Sequence, residues 1–285
     1  MGYLIDSHCH LHDRQFFTEE QAEEMLARAH DNNVQQIVCI GTDPEDSLAA
    51  RDFAATHDGV FWTYGVHPEE AGRVRIDVSS TRSFAPVVTG LSHSNRSSLV
   101  ADGLGNVNSE PNNGSSTPVA IGEVGLDYHS EGYDREAQIR LFEEMLQLAV
   151  DNDLPLSFHV RNAFEDFFPV VANFPSVRAV VHSFTDSKKV LRKILEQTNF
   201  YVGVNGLATY STLPTPPLER ILLETDAPFL TPVPFRGIIN EPGYIYNIAM
   251  WLSEKLGVDY EIVEKETTKN ATELYNLSDS IIRKK

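Results

Sequence analysis

With 285 residues, 41% of them apolar, the chain can bury one large core, and α/β barrels reach this size as a single domain. Its formal net charge of −18 excludes long-range attraction of the whole molecule to polyanions, so any nucleic acid would have to be held locally, by bound cations and a few Arg or Lys. Cys9 and Cys39 are too few for a disulfide framework, no apolar run nears the roughly 18 residues of a membrane span, and Met1-Gly2-Tyr3-Leu4 does not read as a secretory signal, so a cytoplasmic protein is expected.

Eight β-rich runs follow one another, at 3–6, 36–40, 60–64, 119–122, 156–158, 179–181, 200–204 and 221–224. Helical patterns separate most of them. Thr18 reads as an N-cap before Glu19-Glu20-Gln21, with Met25, Leu26 and Ala29 on one face. Pro44 suits a first helical position. The clearest helix covers 134–150, where Leu141, Phe142, Met145, Leu146, Leu148 and Ala149 keep the helical period. Further helices read at 163–172, 187–197, 244–256 and 260–275.

Two segments break the alternation. Residues 78–118, rich in Ser, Asn and Gly, read as a flexible insertion. In 207–217, Pro214, Pro216 and Pro217 forbid a regular helix. Strand–helix alternation of this kind predicts a parallel sheet, closed as a TIM-type (β/α)8 barrel or open and doubly wound. The expectation is the barrel, one domain over 1–285, distorted between strands seven and eight.

Six side chains decide between closed and open. His8, His10, Glu123, His159, His182 and Asp226 stand at the ends of strands one, four, five, six and eight. An open sheet gathers its site at one switch point, whereas a barrel turns every strand end to one mouth. In an extended strand, residues two apart share a side, so His8 and His10 can grip one ion while Cys9 points into packing. Glu123 ends an apolar run between glycines, and its two oxygens could bridge two ions. Singly, each residue has a plainer reading, such as a satisfied core histidine or a turn aspartate. Together, imidazoles and carboxylates suit Zn, Mn, Fe, Ni or Mg.

The motifs carrying these residues are D-S-H-C-H-L-H (6–12), Y-G-V-H-P (64–68), I-G-E-V-G-L-D-Y (121–128), F-H-V-R-N-A (158–163), V-H-S-F-T (181–185), L-E-T-D-A-P-F-L-T-P (223–232) and N-E-P (240–242). In this order, over nearly the whole chain, they make it resemble the TatD family of metal-dependent deoxyribonucleases, among the amidohydrolase-like barrels. The resemblance implies 3′–5′ exonuclease cleavage of DNA with two divalent ions (Zn, Mg or Mn). It implies that His8, His10 and Asp226 hold one ion, that His159 and His182 hold the other, and that Glu123 bridges them. A metal-activated water would attack phosphorus, with Asp226 as general base. His67 would contact the scissile phosphate, and Arg161 and Arg236 are candidates for its oxygens. DNA is the expected partner of a monomer without a membrane or an obligate protein. The chain departs from the family in its longer connection before Glu123 and in lacking a helix between strands seven and eight.

Two other readings remain. The same site could hydrolyse another ester or amide, on a tRNA or a small metabolite, or the protein could bind metal without turnover. Phe17, Trp62, Phe84, Tyr128 and Tyr210 are candidates for stacking bases, against the plainer reading as core aromatics.

Overall fold

In the computed structural model the described residues are 2–74 and 117–277. Eight parallel strands form one sheet in sequential order: β1 (Leu4–Cys9), β2 (Val34–Cys39), β3 (Val60–Tyr64), β4 (Ala120–Asp127), β5 (Leu156–Arg161), β6 (Ala179–Val181), β7 (Tyr201–Val204) and β8 (Ile221–Leu223). Helices α1 (Glu19–Asp31), α2 (Pro44–Thr56), α3 (Arg135–Asp151), α4 (Phe164–Val171) and α5 (Lys188–Gln197) form crossovers, while α6 (Ile245–Leu256) and α7 (Tyr260–Tyr275) follow the last strand. Thr18 caps α1 with a full capping box, as its spacing with Gln21 predicts. Asp134 and Ser187 each stand just outside a helix and accept from its first turn, so both are caps rather than helical residues.

The sheet curls into a barrel with one unsealed seam. No β8–β1 ladder forms among the described residues. Backbone bonds nonetheless join the two just beyond β8: the Asp226 N–H donates to His8 O at 2.8 Å, and His10 N–H to Ala227 O at 2.8 Å. The buried Asp6 carboxylate accepts from the Thr225 N–H and hydroxyl. The irregularity forecast between strands seven and eight is confined to their crossover. It contains the short 3₁₀ turns Gly206–Thr209 and Leu218–Arg220, while β7 and β8 themselves pair in steady register from Val202↔Ile221 to Val204↔Leu223.

Three strands run further than their apolar stretches suggest. β1 continues to Cys9, β4 to Asp127 and β5 to Arg161. His8, Glu123 and His159 therefore lie inside strands, not after them. Backbone pairing persists where side chains turn polar, because those side chains face the mouth. The expected insertion 78–118, apart from its last two residues, falls outside the described residues.

Two clusters hold the fold. The larger lies between barrel and helices, where the rings of Phe142, Phe158, Phe167 and Phe200 meet mostly edge to face. The smaller joins Ile5, Phe61, Val180 and Leu222 to Tyr275 and Leu277. The end of α7 thus packs under the strands, away from the carboxyl ends that carry the polar residues.

Candidate metal centre

All six predicted side chains converge at the carboxyl ends of the strands. Glu123, only 5% exposed, stands at the middle. Its Oε1 is 2.7 Å from His159 Nδ1 and 3.2 Å from His182 Nε2. Its Oε2 is 3.6 Å from His8 Nε2 and 4.0 Å from His10 Nε2. Asp226 Oδ1 lies 3.6 Å from both of those nitrogens. The His8 and His182 rings stack with centroids 3.7 Å apart.

In His8, His10 and His159 one nitrogen is hydrogen-bonded from behind while the other faces this centre; in His182 the rear nitrogen makes no hydrogen bond and has only the Glu224 carboxylate nearby. His10 Nδ1 is 3.1 Å from Ile40 O; a carbonyl can only accept, so Nδ1 carries a proton, while Nε2 faces Asp226, which with Glu123 overcomes burial and raises this imidazole. His8 Nδ1 is 3.4 Å from Ser157 Oγ. His159 Nε2 is 2.8 Å from Asp127 Oδ2, and His182 Nδ1 is 3.4 Å from Glu224 Oε1. Glu224, fully buried, is itself fixed by the Ser183 N–H at 2.6 Å. Carbonyls and carboxylates behind imidazoles are how proteins orient metal-binding histidines.

The spacing fits a cation. Nitrogen–oxygen gaps of 3.6 Å are too long for hydrogen bonds, and buried His8 Nε2 has no hydrogen-bond partner. Two donors about 2.1 Å from one tetrahedral ion stand about 3.4 Å apart. The donor atoms fall into overlapping groups able to hold an ion: His8–His10–Asp226, Glu123–His159–His182, His8–His182–Glu224 and His67–Asp127–His159.

Electrostatics divides the imidazoles. Burial pushes His8 down, helped by the neighbouring His182. Burial opposes charge on His159 and His182 too, but carboxylates overcome it. Asp127 and Glu123 raise His159 to about 9, and Glu123 with Glu224 raise His182 well above its ordinary value. For Glu123, burial would favour the neutral acid, yet His182, His159 and His8 hold it well below the carboxylate range. Asp226 is likewise lowered against its burial, by His10, His182 and His8.

The centre opens into a cavity of about 770 Å³. His67 and Arg161 line it. Burial lowers His67 to about 4, so near neutral pH it offers a hydrogen bond without charge. Arg236 stands outside this lining, with its guanidinium over the Tyr210 ring at 4.0 Å. Of the stacking candidates, Phe17 and Trp62 are buried in the core, Tyr128 stacks on Tyr133, and Phe84 lies outside the described residues. The sequence reading did not single out Asp127 or Glu224. Glu224 lies two residues before Asp226 in the 223–232 motif, but β8 ends at Leu223 and Asp226 has a positive φ, so strand alternation does not pair the two.

The family model for TatD related DNase matches residues 5–276. The chain is 30% identical to the metal-dependent hydrolase YabD of Bacillus subtilis, over 96% of this chain and all of that one. It is 29% identical to the 3′-5′ ssDNA/RNA exonuclease TatD of Pantoea ananatis, again over 96% and 100%. The crystal structure of the TatD homologue YJJV of Escherichia coli superposes with a TM-score of 0.75 at 24% identity, covering 96% of this chain and 98% of that one. With a family match over almost its full length, a barrel of the same fold and a buried cluster of imidazoles and carboxylates, the chain belongs to the TatD family of metal-dependent hydrolases.

Proposed function

We propose that this hydrolase is a 3′–5′ deoxyribonuclease that works with two divalent ions. The observation that carries the metal assignment is the unpaired, buried His8 Nε2, set 3.6 Å from an oxygen of Glu123 and from one of Asp226. The DNA assignment is supported by the family and by the activity printed for the Pantoea ananatis relative. His8, His10 and Asp226 would hold one ion, His159 and His182 the other, and Glu123 would belong to both. Bound divalent ions supply the Lewis acidity that ionises water near neutral pH and offsets charge on phosphate oxygens.

The protein's own groups do the rest. Asp226 is kept ionised by three imidazoles, so its carboxylate can take the proton of the attacking water. His67, uncharged, donates a hydrogen bond to a phosphate oxygen. Arg161, at the cavity wall, forks onto the others. Replacing Glu123 by Gln removes the shared anion. Release of nucleotides from end-labelled single-stranded DNA should then cease, and full retained activity would overturn the assignment.

A specific observation favours a second reading, hydrolysis of a small ester or amide. Asp13, Asp43, Glu69 and Glu70 also line the cavity, and they repel a polyanion that carries no cations. Turnover of a panel of such esters, with none of DNA, would establish it.

A further inference from the structure

The cavity is lined by apolar as well as polar side chains, and ion binding explains only the imidazoles and carboxylates of the centre. Phe16 and Phe229, with Leu207 and Leu230, also line the cavity. Phe16 and Phe229 are 44% and 46% exposed, among the most exposed large apolar residues described. They meet edge to face with centroids 5.3 Å apart. Phe229 is tied to the centre from both directions: its N–H donates to Asp226 O at 2.8 Å, and its ring lies edge-on to His10 with centroids 6.5 Å apart. Phe16 is set by the tight turn after His12, where its N–H donates to Asp13 O. Neither ring is needed to cover the core, because the adjacent Phe17 is buried and already does so.

We propose that Phe16 and Phe229 form the platform on which one unpaired nucleobase of the substrate stacks while its phosphate faces Asp226 and Glu123. This rests on the deoxyribonuclease reading and names the part of the site that holds the base. The occupant follows from the chemistry of the lining. A ligand anionic at one end and flat and apolar at the other matches a metal centre beside two exposed rings. A cavity of about 770 Å³ has the size of sites that hold one small ligand, which fits a nucleotide or two. Stacking on aromatic rings tolerates any base, because every base presents a π-face. The platform would therefore position a terminal nucleotide without reading its identity. It would also supply attraction that the charge of −18 withholds.

The test uses metal-loaded protein and an oligodeoxynucleotide with 2-aminopurine at its 3′ end, whose fluorescence is quenched by stacking. Stopped-flow mixing reads the quench before turnover, and nucleotide release is followed afterwards. The wild type should quench the probe. Phe16→Ala and Phe229→Ala should lose most of the quench and raise KM about 5- to 100-fold, with little change in kcat. Phe229→Trp should restore both. An oligonucleotide ending in a base-free tetrahydrofuran residue should be handled equally by wild type and variants, which a merely structural effect would not produce. Equal quenching by wild type and both alanine variants overturns the platform. Quenching without nucleotide release by the wild type overturns the nuclease reading and leaves the platform standing. Nucleotide release without quenching does the reverse.

Discussion

The two halves of the proposed metal centre are built differently. His8 and His10 are backed by weak partners, a serine hydroxyl and a backbone carbonyl, and their inward nitrogens sit 3.6 Å from Asp226. His159 and His182 are backed by carboxylates, Asp127 and Glu224, and face a third, Glu123, at 2.7 and 3.2 Å. In the first half burial keeps His8 neutral, with its lone pair in position before an ion arrives, whereas Asp226 and Glu123 overcome burial and raise His10. The second holds protons that an ion must displace, and in return its carboxylates strengthen the imidazoles as ligands. One site thus combines a half whose His8 is poised neutral with a half stored in protonated form.

Glu123 belongs to both halves, so its neutralisation should abolish the distinction. Glu123→Gln should lower kcat/KM by about 10³-fold or more, consistent with loss of a group that organises both ions. Titration with Mn²⁺ or Zn²⁺ should show both binding steps weakened. If one step survives at wild-type affinity, Glu123 serves only one half.

The backing carboxylates test the asymmetry directly. Asp127→Asn and Glu224→Gln should each reduce affinity for one ion by about 10- to 100-fold, while the other ion binds as before. Glu224 is fully buried and also accepts from Ser183, so its variant needs a melting curve beside the titration. Equal weakening of both ions would erase the difference between the halves.

The pH dependence follows from the same division. In the metal-free protein His159 is raised to about 9, His182 is raised well above its ordinary value and His10 is raised too, whereas His8 is lowered. A raised imidazole pKa stabilises the metal-free fold fully below about 6.5, and that contribution is lost as pH climbs through about 9. Metal binding runs the opposite way, since a ligand nitrogen must be bare. Affinity of the His159–His182 half should rise about tenfold per pH unit for each proton displaced, between pH 6.5 and 9. Calorimetry in buffers of different ionisation enthalpy should register proton release for that half and, from the other, release from His10 but little from His8.

The order of strands and the six central side chains were legible in the sequence, because strand ends there carry unusual residues in a fixed alternation. Asp127 was not legible: it ends a strand whose apolar run stops at Gly122, and an acid before Tyr128 looks like a turn residue. Phe16 and Phe229 were hidden for the opposite reason. Exposed and buried phenylalanines are written alike, and only the turn after His12 turns Phe16 outward while Phe17 goes into the core. The missing β8–β1 ladder was invisible as well, since no local pattern records which pair of strands is joined only by the backbone bonds of Asp226 and Ala227 beyond β8 and by the Asp6 carboxyl.

The smallest expected effect is at Ser157, and it sharpens the contrast most. Its hydroxyl lies 3.4 Å from His8 Nδ1, a long and weak contact, and the residue is fully buried. If the first half depends on packing rather than on charged support, Ser157→Ala should weaken its ion by no more than a few-fold, within the roughly 1 kcal/mol of an ordinary neutral hydrogen bond. The His8 ring is already pinned by its stack on His182, with planes only 11° apart, so it keeps its orientation without the serine. A loss as large as that from Asp127→Asn would mean that a hydroxyl supports its imidazole as strongly as a carboxylate does, and the two halves would then differ in proton content alone.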